Sequence, residues 1–113
     1  MPPGHSDETA NYLQLQATAL YLEGDTRGDN SALEQSINVW HDVLRYRPRD
    51  RVPLDWAEAQ RSLGNVLELL GERVGTLRLE EAVIAYRDAL KEYTHERAPS
   101  NGRERRMISA MLS

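Results

Sequence analysis

The feature that most constrains this chain is an internal duplication. Slid against itself by 46 residues, the chain lays Leu33-Glu34 on Leu79-Glu80, Asp42 on Asp88, Leu44 on Leu90, Arg51 on Arg97 and Pro53 on Pro99. Between these identities the chemistry holds, with Ile37 on Val83, Trp40 on Tyr86 and Arg45 on Lys91. Upstream the register becomes 47, bringing Ala17 onto Gly64, Leu20 onto Leu67, Gly24 onto Gly71 and Gly28 onto Gly75. A one-residue change of register belongs in a turn, so each copy consists of two elements joined by a turn. A period of this size signals a stacked supersecondary unit rather than one irregular core.

The apolar spacing says what the elements are. From Ala10 to Glu23 the residues Tyr12, Leu13, Leu15, Ala17, Leu20, Tyr21 and Leu22 form a broad helical stripe, and Gly24 is the expected stop. Turn chemistry follows in Gly24–Asn30. Ser31 with Glu34 has the spacing of a capping box and predicts the start of a second helix. Leu33, Ser36, Ile37, Trp40, Val43, Leu44 and Arg47 share one face of that helix, and Pro48 ends it. A third helix is predicted after Pro53, with Asp55 as N-cap, running through Leu63, Val66, Leu67 and Leu70 to Gly71. Gly64 inside it costs up to about 1 kcal/mol of helix propensity relative to Ala. Such a residue predicts that a neighbouring helix approaches too closely for a side chain. The fourth helix, Leu79 to about Tyr93, repeats the pattern through Ala82, Val83, Tyr86, Ala89 and Leu90.

The ends are different. Residues 1–9 have no apolar periodicity and read as a disordered leader. At the other end Ile108, Met111 and Leu112 fall on Leu63, Val66 and Leu67 at a shift of 45. Residues 101–113 are therefore either a capping helix or the start of a third unit. The expected organisation is a leader over 1–9 and one domain over 10–113, with repeat one at 10–53 and repeat two at 54–99.

Composition excludes several functions. Without cysteine there are no disulfides, thiolate nucleophiles or Cys-ligated zinc. No apolar run approaches the ~20 residues that span a bilayer, and MPPGHSDETA is no secretory signal; a cytoplasmic protein with no membrane contact is expected. The three histidines are scattered, and no HExxH, P-loop or GxSxG is present. The expectation is a non-enzyme without cofactor or metal. Arg45, Arg47, Arg49 and Arg51 could form a phosphate-binding patch. They read first as cations at a helix C-terminus, and with a pI of about 5.3 no nucleic-acid partner is expected. Charge is uneven along the chain. Residues 1–40 hold one Arg against six carboxylates, and residues 91–113 five cations against three.

LGNVLELLG followed by LEEAVIAYRDAL is similar to the tetratricopeptide repeat consensus, carried by Leu63-Gly64, Leu67, Gly71, Ala82, Tyr86, Ala89 and Leu90. The first copy keeps Ala17, Leu20, Gly24, Ser36, Trp40, Val43 and Pro48. The usual 34-residue unit is lengthened here by inserts such as Glu72–Arg78, as in a long-repeat bacterial variety, and Thr94 stands where Pro48 would predict a proline. The resemblance implies an all-α fold: tandem antiparallel helix hairpins, two repeats plus a C-terminal helix, in a right-handed α-solenoid. It implies a protein or peptide partner on the concave face, lined by Asn11, Gln14, Thr18 and Tyr21, by Glu58, Arg61, Asn65 and Glu68, and by Arg103 and Arg106. Arg61 and Asn65 resemble a pair that holds a peptide's terminal carboxylate. The alternative is self-assembly to a homodimer or higher oligomer. Its docking or capping surface would be Met107, Ile108, Met111 and Leu112, because a stack of two and a fraction repeats leaves an apolar face open.

Overall fold

The computed structural model describes the chain from Pro3 to Glu96, and over those residues it is four α-helices without strands: α1 (Pro3–Arg27), α2 (Asn30–Tyr46), α3 (Pro53–Val74) and α4 (Thr76–Glu96). The expected C-terminal helix over 101–113 lies outside the described residues. Contacts fix the helix directions. Ser36 Oγ donates to the carbonyl of Ala17 at 2.8 Å, Arg47 reaches Asn11, and Gly24 meets Leu33, so α1 and α2 run antiparallel. Gly71 against Leu79 and Gly64 against Tyr86 give the same arrangement in α3 and α4. The two hairpins join through α2 and α3 around one core of Ala17, Leu33, Ile37, Trp40, Val43, Leu63, Val66, Leu67, Leu70 and Tyr86.

Both hairpins carry equivalent pairs of glycines, and the first of each pair has a different role from the one the sequence suggests. Gly24 and Gly71 do not stop their helices; α1 runs on to Arg27 and α3 to Val74. They are small because something lies against them. A Cβ on Gly71 would sit 2.7 Å from Leu79 Cδ2 and 2.8 Å from its backbone nitrogen, and one on Gly24 would overlap Leu33. The breaks fall four residues later, at Gly28 (φ 65°) and Gly75 (φ 131°, ψ −177°), conformations that disfavour any side chain. Residues 72–78, expected as an inserted loop, are therefore helical on both sides of Gly75. The insert lengthens the helices.

Two helix starts also depart from expectation. Asp29, not Ser31, caps α2: its Oδ1 accepts from the backbone nitrogens of Ser31 at 3.0 Å and Ala32 at 3.3 Å. Asp and Ser serve equally well as caps, and the left-handed Gly28 sets the chain so that the earlier of the two takes the position. For α3, Pro53 begins the helix after Val52, which offers no side-chain cap, so Asp55 lies in the first turn instead. Residues 3–9, expected as a disordered leader, belong to α1. Pro3 opens the helix as Pro can at a first helical position, and Ala10 is already fully buried.

Arginines tie the hairpins together at both ends. Arg73 donates to the carbonyls of Gly24 at 2.9 Å and Asp25 at 3.4 Å and to Asn30 Oδ1 at 3.1 Å, pinning the end of α3 to the α1–α2 turn. Nearby, Arg78 bridges Glu34 at 2.7 Å and Glu81 at 2.8 Å. At the opposite end Arg47 meets Asp55 at 3.6 Å, and Arg49 pairs with Glu92 while lying 5.0 Å from the Trp56 ring centre.

Two outcomes follow from these contacts. Gly71→Ala should lower the urea midpoint by an amount worth about 1–3 kcal/mol despite its better helix propensity, and Gly64→Ala should cost less, because its obstacle is the Tyr86 ring and not backbone. Asp29→Ala should cost about 1 kcal/mol and Ser31→Ala little; the reverse order of losses in thermal unfolding would return the cap to Ser31.

Candidate helix-groove interface

The most chemically organised part of the surface lies between α1 and α3. Trp40 of α2 closes the floor between them, and Thr18 and Tyr21 on one bank face Ser62, Asn65 and Val66 on the other, leaving a groove of about 180 Å³. Gly64 is what brings Tyr86 into this region. A Cβ there would stand 2.6 Å from Tyr86 Cε1, so the bare helix surface lets the ring of α4 cross α3. The phenol emerges beside the groove, where Tyr86 Oη lies 2.7 Å from Asn65 Oδ1 and 2.8 Å from Glu68 Oε2. Its single proton serves one acceptor at a time, and the carboxylate is the stronger of the two.

Burial, and then the hydrogen bond and charge of Glu68, push the Tyr86 phenol well above its ordinary 10.0; Tyr21 adds to this and Arg61 opposes it. The group is locked as a neutral donor. It can orient the Asn65 amide and the Glu68 carboxylate at the groove edge, but it cannot serve as a base near neutral pH.

Of the residues expected on a concave face, Thr18, Tyr21 and Asn65 come together in the groove, and Glu68 joins them through Tyr86. Arg61 is half-buried and close enough for its charge to act on Tyr86. Gln14 is half-buried on α1, and Glu58 is exposed near the start of α3; no contact brings either into the groove. Asn11 is held by Arg47. Arg103, Arg106, Met107, Ile108, Met111 and Leu112 lie outside the described residues. The structure adds Ser62, Trp40, Val66 and Tyr86. Ser62 was not picked out by the repeat, since a shift of 47 places it on Leu15 of the apolar stripe. Nor was Tyr86 as a polar partner, because the same repeat position in the first copy is Trp40.

The geometry changes how the Arg61–Asn65 pair can act. Asn65 already engages Tyr86, with the Glu68 carboxylate on the same hydroxyl. A ligand carboxylate placed there would face a like charge. Donors suit the edge better: a lysine, an arginine or an amide N–H.

The other sequence candidates resolve into structural roles. Each arginine of the 45–51 cluster has a protein partner: Arg45 with Asp42, Arg47 with Asn11 and Asp55, Arg49 with Glu92, and Arg51 with the Tyr46 carbonyl at 2.8 Å. A wider hollow of about 360 Å³ on the other side of α3 is lined by His41, Leu44, Gln60, Leu63, Leu67, Glu81, Ile84, Ala85 and Asp88. It lacks a comparable polar network. Among the described residues no group of three His, Asp or Glu is placed to hold a metal, and no helix is long and apolar enough to cross a membrane.

The raised Tyr86 gives a titration with a definite sign. The folded state disfavours phenolate, so this tyrosine's contribution to stability is complete below pH 10 and is lost as pH rises from there toward the higher folded value. Tyrosinate absorbance should show one tyrosine that ionises only when the protein unfolds, and Tyr86→Phe should remove that delayed step.

Comparison with protein-family models, with curated proteins and with solved structures finds no match to this chain.

Proposed function

We propose that the chain is a protein-interaction module of the tetratricopeptide type, a short right-handed stack of helix hairpins that receives a peptide or loop of a partner protein along the α1–α3 face. The observation that supports this best is the groove itself, in which Thr18, Tyr21 and Asn65 converge above Trp40. A further support is that both hairpins close on equivalent glycines, Gly24 and Gly71, as a repeated building block would.

The bound segment presents hydrogen-bond donors. Glu68 supplies an exposed carboxylate at the groove edge, so a basic or amide-bearing side chain gains a charge-assisted bond there. The aromatic floor takes an aliphatic side chain. Recognition rather than catalysis is the proposal, because the polar groups that meet at this edge are an amide, a carboxylate and a phenol held in its neutral form.

Self-association is the second reading. It draws support from the apolar residues that α1 leaves exposed, Tyr12, Leu15 and Leu22. The C-terminal docking residues Met107, Ile108, Met111 and Leu112 remain part of that alternative.

Affinity capture with the intact chain, with Ser62→Arg and with Glu68→Lys tests the groove. Ser62→Arg fills it and Glu68→Lys reverses its edge charge, so partners seen with wild type should be lost from the first and depleted in the second. Identical partner sets, with unchanged helicity, would remove the groove as the recognition surface.

A further inference from the structure

α1 is apolar on two opposite faces. One face is small and internal: Ala10, Ala17 and Gly24, seven residues apart, are buried, with Ser36 bonded to the Ala17 carbonyl and Leu33 lying on Gly24. Half a turn round the helix, Tyr12 is 67% exposed, Leu15 73% and Leu22 53%, with Ala19 exposed between them. A helix that is apolar on a second face ordinarily buries it. The repeat supports this. At a shift of 47 these positions fall on Ala59, Ser62, Val66 and Leu69 of α3, where Ala59 and Val66 are buried and Leu69 packs against the core. In the second hairpin the equivalent face is an internal one.

We propose that this face of α1 is covered by the same face of a second copy, the two α1 helices lying antiparallel across a two-fold axis. The spacing argues for this occupant. Exposed positions 8, 12, 15, 19, 22 and 26 follow one another at four, three, four, three and four residues, the seam spacing of paired helices. The series reads identically from either end about residue 17. Turned end for end, a second α1 therefore sets Tyr12 against Leu22 of the other copy and Leu15 against Ala19, large against small.

Charge selects the antiparallel sense. In that register Asp7 and Glu8 stand beside Arg27 of the other copy, while Glu23 and Asp25 stand opposite neutral Asn11 and Thr9. A parallel pair would place Glu8 on Glu8 and Glu23 on Glu23. The exposed large apolar residues of α4, Leu77, Val83 and Ile84, are set among charged Arg78, Glu80 and Arg87 and make a poorer match to the α1 stripe. The contact is isologous and closes at two copies. None of the seam residues lines the α1–α3 groove, so the contact is separable from groove binding.

The test combines mass in solution with cross-linking, which the absence of native cysteine makes clean. Sedimentation equilibrium of the intact chain should give twice the 12.9 kDa chain mass. Leu15→Glu/Leu22→Glu should weaken the dimer Kd by about 100-fold or more, since two carboxylates enter an apolar seam, with helicity unchanged because both sites are exposed. Ser62→Arg should remain dimeric, which separates this contact from the groove. A mixture of Leu15→Cys and Ala19→Cys proteins should form the mixed disulfide faster than either forms its own. A wild-type monomer at millimolar concentration would overturn the proposal, as would a glutamate variant that stays dimeric. So would preferential Leu15→Cys self-linking, or a Leu15→Cys disulfide to Met111→Cys replacing the pair with Ala19→Cys, which would assign the face to the C-terminal segment.

Discussion

The structure depends on how closely the two helices of each hairpin approach. Leu33 and Leu79 occupy the space that a side chain at Gly24 and Gly71 would need, and Tyr86 does the same at Gly64. Dispersion contacts fall off steeply with separation, so this proximity is what lets helices with modest side chains form a core without any phenylalanine. Trp40 and Tyr86 then supply the bulk at equivalent places. The same proximity carries the Tyr86 hydroxyl across α3 to Asn65 and Glu68. Packing and groove chemistry thus share a cause.

Much of this was legible in the sequence. The duplication, the number of helices over the described residues and the packing role of Gly64 all come from spacing alone, because apolar periodicity and the smallness of glycine act locally. The helix ends were not legible to the same degree. Gly24 and Gly71 looked like terminators, since glycine ends helices as readily as it admits close neighbours. Only the tertiary contact with Leu33 or Leu79 decides between the two uses. Gly28 and Gly75 took over termination, and the apparent insert 72–78 became helix. The capping of α2 shows a narrower form of the same ambiguity, with Asp29 and Ser31 both competent and two residues apart.

The groove was half legible. Thr18, Tyr21 and Asn65 are predicted by which side of a first helix faces away from its partner, and helical geometry fixes that. Glu68 and Tyr86 meet across two helices, through the ring's path over Gly64, and no spacing within either helix encodes it. The arginines show the converse. Four in seven residues look like one patch in sequence, yet each is drawn to a different acceptor: Arg45 and Arg51 to α2 itself, Arg47 to α1 and α3, and Arg49 to α4.

The single-residue connector at Gly75 has a kinetic meaning. With α3 ending at Val74 and α4 starting at Thr76, closing the second hairpin orders almost no loop, and its contacts lie between residues near in sequence. Such local topology lowers the entropy lost before native contacts form, and chains built this way fold quickly. The first hairpin, with only Gly28 and Asp29 between its helices, has the same advantage. Docking of one hairpin on the other is the less local step, since it brings Arg73 to the carbonyls of Gly24 and Asp25 some fifty positions earlier. The arginine ties thus join segments that are distant in the chain, whereas each hairpin's own contacts are local.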